Sequence, residues 1–226
     1  MPEIEFLRRF FEEQKVPIWG ICCLEKLEAD GLPEELRRRF KTAVVFAFPL
    51  SSALIDSLAD GPDPTYLHHY RQVNYFLDRA GLLLTDLLQQ NGFSGLPVPA
   101  SQVVDWEKQK GLLSHRRLAV AAGLGWLGRN NLLVTKDYGS RIRLATVLTD
   151  ASLPESPCRT DGCGECLACL VRCPAVAIKE KPGDFNPQTC FRFIRDICRK
   201  KGISQNICGL CLCSPAWRDK KKDGKP

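Results

Sequence analysis

Apolar and polar positions alternate along the chain with two periods. Residues 3–15 put Ile4, Leu7, Phe10 and Phe11 on one face at helical spacing, with charges opposite, which predicts an amphipathic helix against a core. Residues 17–24 (Pro-Ile-Trp-Gly-Ile-Cys-Cys-Leu) read as a short buried strand. Residues 33–40 form a short helix with Pro33 at its start, and the Arg37–Arg39 run is its solvated face. The unbroken apolar run 42–49 predicts a strand inside a sheet, since both of its faces need cover. A polar loop, 50–64, leads to a long helix over 65–91 that carries Tyr66, His69, Tyr70, Val73, Phe76, Leu77, Leu83, Leu84, Leu87 and Leu88 and ends at Gly92. Pro97 and Pro99 restrict residues 96–101 to a sheet edge or a connector. Ser114 is the expected N-cap of a helix over 115–122. Residues 131–150 read as a β-hairpin with strands at 131–135 and 142–148, and residues 188–200 as a further helix.

Past residue 152 the composition turns to Pro, Gly and Cys. The run Cys163-Gly-Glu-Cys166-Leu-Ala-Cys169-Leu-Val-Arg-Cys173-Pro174 has the spacing C-x2-C-x2-C-x3-C-P. Bacterial ferredoxins use that spacing to hold a [4Fe–4S] cube, with the fourth Cys serving a second one. Two residues between ligands let three thiolates reach three corners of one cube from a single loop. The fourth Cys starts the next helical turn and faces elsewhere. The other ligands follow at Cys190, Cys208, Cys211 and Cys213. The expected sets are Cys163, Cys166, Cys169 and Cys213 for one cluster, and Cys173, Cys190, Cys208 and Cys211 for the other. A zinc site on Cys163, Cys166, Cys208 and Cys211 would leave Cys169, Cys173, Cys190 and Cys213 unexplained. Cys22, Cys23, Cys158 and Cys198 lie outside the pattern and are expected to be non-ligands.

This places a domain boundary near 152. Residues 1–151 are expected to form an α/β domain with a mixed α+β sheet. Residues 152–226 are expected to form a small ferredoxin-like domain for two [4Fe–4S] clusters, with a basic C-terminal tail.

Charge sharpens the picture at one end only. Residues 190–226 hold ten Lys and Arg against three acids, a net +7 within a chain of net charge +6. Two readings fit: cations offsetting the negative charge of two clusters, or a nucleic-acid surface. No apolar run reaches the ~18 residues of a membrane span. The N-terminus lacks the basic and apolar regions of an export signal, so a cytoplasmic location is expected, where twelve Cys read as ligands rather than disulfides.

The motif Gly123-Leu-Gly125-Trp126-Leu-Gly128-Arg129-Asn130 matches G-x-G-x-x-G, and Asp150 follows about 20 residues on. A dinucleotide site needs a strand before the glycines and a helix after them. Here the order is reversed, so the glycines indicate a tight turn and a close approach instead. His68 and His69, between Tyr66 and Tyr70, either line a pocket or divide into one solvated and one core histidine.

The glycine motif, the following Tyr138-Gly139 and Leu148-Thr-Asp150, and the Cys163 run together resemble the epoxyqueuosine reductase family, over roughly residues 40–215. That family is similar to reductive dehalogenases. The resemblance implies cobalamin bound on a mixed α/β domain, a cluster close to the corrin, and removal of an epoxide oxygen in a tRNA modification. By it, Gly123, Gly125, Trp126, Gly128, Arg129, Asn130 and His115 are candidate cofactor contacts, and Asp105 is the candidate proton donor by approximate position. It implies an electron donor of the ferredoxin or flavodoxin type. The helical repeats by which the family helps hold tRNA have no counterpart in these residues, so tRNA ranks below the electron donor as an expected partner.

The expected function is an iron–sulfur reductase that passes electrons through two clusters to a site on the α/β domain. The alternative is a ferredoxin-like electron-transfer or activator protein with no substrate of its own. RNA binding through the basic C-terminus is a third reading.

Overall fold

The computed structural model describes residues 2–25, 32–105, 107, 110–157, 162–181 and 183–213. Cys158, Trp106 and the basic tail beyond 213 lie outside the described residues. In chain order the elements are α1 (Pro2–Glu13), β1 (Ile18–Cys23), α2 (Glu34–Arg39), β2 (Thr42–Pro49), α3 (Ser52–Ser57), α4 (Pro64–Gln90), β3 (Gly95–Val98), α5 (His115–Ala121), β4 (Trp126–Leu127), β5 (Leu133–Val134), β6 (Ile142–Thr149), α6 (Ala168–Val171) and α7 (Pro187–Lys200). They divide into two compact units. One comprises Met1–Phe48, Val73–Leu124 and Arg143–Arg159; the other comprises Pro49–Gln72, Gly125–Ile142 and Thr160–Pro226. The cysteine-rich unit therefore also contains two segments that precede the compositional boundary at 152.

The first unit is a mixed α+β structure built on a four-stranded sheet of order β1-β2-β6-β3. β1 pairs antiparallel with β2, in register Ile18 with Ala47, and β3 pairs antiparallel with β6, in register Gly95 with Thr149. The apolar run of β2 occupies an interior position, with Ala43 through Ala47 fully buried. Pro97 sits on the edge strand, where a missing N–H leaves only an outer position unpaired. The apolar stripe of α1 packs through Phe11, whose ring lies 5.0 Å from Trp19 and 5.5 Å from Phe46. Leu77, Leu84 and Leu88 of α4 are fully buried in the same core.

The expected hairpin over 131–150 does not form. β4 pairs with β5 instead, Trp126 with Val134 and Leu127 with Leu133, and β6 joins the large sheet between β2 and β3. The reason is burial: six of the eight residues of β6 are buried, so it needs neighbours on both edges and cover on both faces. The short hairpin turns at Asn131, which adopts φ +58° while its amide donates to Gly128 O at 2.9 Å.

The second unit has a core of Ile55, Leu58, Tyr66, Ile178, Ile203, Ile207, Leu210 and Leu212. α7 starts on Asn186, whose side chain accepts from the Thr189 amide at 3.0 Å, followed by Pro187 at the first helical position. Arg141 is 4% exposed and bonds Asp56 at 2.6 Å and the Leu212 carbonyl at 3.4 Å. His69 accepts the Ser51 amide at 3.0 Å, and His68 is exposed, so the pair divides into one engaged and one solvated histidine.

Candidate functional site

All eight pattern cysteines lie in the second unit. The Cys163 loop closes with the Cys166 amide on the Cys163 carbonyl at 3.0 Å, and α6 then carries Cys169 inward while Cys166 stays exposed. Cys173 is reached by a final turn, its amide on Leu170 O at 3.2 Å. Val176 follows in the left-handed region at φ +52°, an uncommon conformation for a β-branched residue, which turns the chain away from the loop.

The thiols influence one another most strongly within two subsets, with Cys211 linked to both. Burial pushes Cys190 up to about 11, and the neighbouring Cys208 and Cys173 add to it. Burial also raises Cys208, with Cys173 and Cys198 beside it, and raises Cys211, with Cys208, Cys190 and Cys173 beside it and Cys169 of the other group adding to it. Cys173, Cys190, Cys208 and Cys211 thus stand as mutual neighbours. In the other group a hydrogen bond joins Cys169 and Cys213. It draws Cys169 down to about 7, and it raises Cys213, which also senses Cys211 and Cys166. Cys198 is buried, and its thiol donates to the Ile207 carbonyl at 3.1 Å. Cys22 belongs to the first unit, where burial raises its thiol to about 12. Among the described residues no three His, Cys, Asp or Glu groups converge on a point that would hold one metal ion. A cube sets its thiolates on separate corners, further apart than the ligands of a single ion.

The segment after the glycines binds both cysteine stretches. Arg129 spreads its guanidinium over three carbonyls: Nη2 donates to Gly164 O at 2.7 Å, Nη1 to Cys166 O at 3.1 Å, and Nε to Glu180 O. Asn130 is buried and donates to Cys211 O at 3.0 Å. Ser140 accepts the Cys213 amide at 2.9 Å. Arg129 therefore holds the loop of Cys163 and Cys166, while Asn130 and Ser140 hold the run of Cys211 and Cys213. Ser140 and Arg141 were not singled out by the sequence. Their one signal is a pair of polar residues placed directly before an apolar strand.

The glycines are explained locally. A β-carbon on Gly125 would lie 2.0 Å from the Val134 carbonyl oxygen, so the β4–β5 hairpin closes only over glycine. Gly123 has φ +71° and ends α5, its amide on Val120 O at 3.0 Å. Gly128 donates its amide to Leu132 O at 2.8 Å within the same hairpin. Asp150, the acid at dinucleotide spacing, accepts the Ser94 amide at 2.8 Å.

His115 and Asp105 belong to the first unit. His115 lies 2.7 Å from Thr146 Oγ1 through Nδ1 and 3.0 Å from the Pro99 carbonyl through Nε2. The carbonyl can only accept, so Nε2 carries the proton and Nδ1 accepts from the hydroxyl. Burial holds this imidazole down to about 4, opposed by the Pro99 carbonyl and assisted by the Arg143 charge. Both ring nitrogens are engaged by partners of the first unit. Ser114 precedes α5, but its buried hydroxyl makes no cap and has no partner among the described residues; its carbonyl accepts from Arg117 and Leu118 instead. Asp105 sits at the start of a small turn, exchanging backbone hydrogen bonds with Lys110 at 3.1 and 3.0 Å. Trp126 Nε1 is buried with no partner among the described residues.

The epoxyqueuosine reductase of Escherichia coli K12 is 38% identical over 80 residues, which are 35% of this chain and 21% of that protein. The chain resembles epoxyqueuosine reductases. The Bacillus subtilis 168 epoxyqueuosine reductase is 39% identical over 85 residues, 37% of this chain and 22% of that protein. The matched stretch thus spans about a fifth of the length of these curated relatives. Among solved structures, the epoxyqueuosine reductase of Streptococcus thermophilus superposes with a TM-score of 0.62 at 19% identity, covering 97% of this chain and 67% of that one. A reductive dehalogenase, described as acting through B12, superposes with a TM-score of 0.69 at 19% identity, covering 88% of this chain and 30% of that one. These structural likenesses are likenesses of fold. No protein-family model matches the chain. Among the described residues no helix is long and apolar enough to cross a membrane.

Proposed function

We propose that this chain is an iron–sulfur oxidoreductase of the epoxyqueuosine reductase kind. It would hold one [4Fe–4S] cluster on Cys163, Cys166, Cys169 and Cys213, and a second on Cys173, Cys190, Cys208 and Cys211. The observation that supports the reading is the nearness of Cys173 to Cys190, Cys208 and Cys211, and of Cys169 to Cys213, thiols drawn from separate stretches of the chain. The donor chemistry fits: thiolates are the ligands such clusters take, and binding would displace the protons that burial holds on Cys190, Cys208 and Cys211. When bound, the clusters supply one-electron transfer.

The residues assigned to a corrinoid fit it poorly. His115, Arg129 and Asn130 spend their polar groups on Thr146 and Pro99, on the Cys163 loop, and on Cys211. Trp126 Nε1 is the open donor of that set. The reading therefore asks of Arg129 and Asn130 that they hold the cysteine loops. Removing an epoxide oxygen takes two electrons and two protons and releases water. Asp105 would donate a proton from its carboxyl group, and an electron donor of the ferredoxin or flavodoxin type would supply the electrons. The substrate class follows the relatives, one of which has been solved with an epoxyqueuosine-modified tRNA-Tyr stem loop.

One observation favours the second reading, a carrier that passes electrons to a partner. Cys166 is exposed beside Leu167, and Val171 is 80% exposed, so the loop presents an apolar face. Anaerobic purification with iron analysis, a cobalamin titration and an assay on a modified stem loop separates the cases. About eight irons per chain with turnover supports the reductase. About eight irons with no turnover and reduction of a partner supports the carrier. Iron far below that number sinks both.

A further inference from the structure

We propose that Arg129 sets the reduction potential of the cluster carried by Cys163, Cys166, Cys169 and Cys213. The inference rests on the two-cluster reading above and adds a role within it. The guanidinium is half-buried and meets the ligand loop through Gly164 O at 2.7 Å and Cys166 O at 3.1 Å, with Glu180 O as third acceptor. Cys166 is itself in the ligand set, and Gly164 directly follows Cys163.

All three acceptors are backbone carbonyls, so none of them cancels the charge. Arg141, a second arginine bonded near this cysteine set, is different: it reaches Leu212 O at 3.4 Å but is paired with Asp56 at 2.6 Å. Among the described residues Arg129 has no such carboxylate. A guanidinium is not deprotonated in proteins, so its charge does not vary with pH. Reduction adds one negative charge to a cluster, and a fixed cation a few ångströms from the ligand loop favours that state. The hydrogen bonds also keep the Gly164 and Cys166 carbonyls directed at the cation. Arg129 is thus a positioning and tuning residue that acts through the cluster loop.

The test compares Arg129→Gln and Arg129→Lys in the full chain, purified anaerobically, by iron analysis and by potentiometric titration followed with EPR. Lys keeps the charge but cannot span three acceptors; Gln keeps a donor but loses the charge. Because Arg129 also holds the ligand loop, iron is measured first and the midpoints are compared on cluster-loaded protein. In the Gln variant one of the two midpoints should fall by about 59 mV, a tenfold smaller reduced-to-oxidised ratio at fixed potential for one electron. The other midpoint should stay, and the Lys variant should stay near wild type at both. Equal shifts in Lys and Gln, or no shift in either, overturn the role of the charge. Loss of half the iron in both variants also overturns it and leaves Arg129 as a purely structural clamp. Wild-type protein without [4Fe–4S] signals overturns the two-cluster reading itself, and this inference with it.

Discussion

Ser140 and Cys213, 73 residues apart, exchange two hydrogen bonds: the Ser140 hydroxyl accepts the Cys213 amide at 2.9 Å, and the Ser140 amide donates to the Cys213 carbonyl at 3.1 Å. The pair fixes the last cysteine of the pattern to the start of a strand. Ser140 is 2% exposed, so Ser140→Ala would strip the part-buried Cys213 amide of its acceptor. The expected cost is about 1–3 kcal/mol. It should appear as a lower urea midpoint of the anaerobically purified protein, with faster iron release to a chelator. An unchanged midpoint and unchanged release would remove Ser140 from the site.

The ligand sets predict which cysteines matter. Cys163→Ala and Cys208→Ala should each lose about half of the iron, because each removes one ligand from a different cluster. Cys22→Ala, Cys158→Ala and Cys198→Ala should keep all of it. Cys198 is the sharpest of these controls, since it lies beside Cys208 yet donates its thiol to Ile207 O. Full iron in the Cys163 or Cys208 variant would show the assignment to be wrong.

Local chemistry was legible in the sequence, and long-range closure was not. Spacing set Cys173 apart from its loop-mates, and the structure puts it beside Cys190 and Cys208. The interior place of β2 and the edge place of β3 followed from an apolar run and from Pro97. The pairing of Leu133 with Leu127 rather than with the strand at 142–149 did not, because apolar runs do not state their partners. Arg129 and Asn130 stood out only as part of a glycine motif. Their acceptors lie 35 to 81 residues further along, which no local pattern reports.

Gly125 tests the local explanation of that motif. A β-carbon there would fall 2.0 Å from the Val134 carbonyl oxygen and 2.9 Å from its carbon, both backbone atoms of the paired strand. Neither can rotate away, so Gly125→Ala should open the hairpin and cost about 3 kcal/mol, the upper range for overpacking. Thermal unfolding of the wild type and variant at one pH measures it. A melting temperature within error of wild type would return the glycine to the role of ligand contact.

His115 makes the first unit sensitive to acid. Its pKa is about 6.5 in the unfolded chain, and burial holds it down to about 4 in the fold. The folded imidazole is neutral, and protonation would put a second N–H where Nδ1 accepts from Thr146. The unfolded state binds the proton first, so stability from this group is complete above pH ~6.5 and falls as the pH drops toward about 4. Below that value both states are protonated and the loss stops growing. The total is about 3 kcal/mol. Gln at 115 can accept from Thr146 and donate to Pro99 without titrating. Urea midpoints between pH 7 and 4 should therefore fall more steeply for wild type than for His115→Gln. Parallel curves would mean that His115 is charged or solvated in the folded protein.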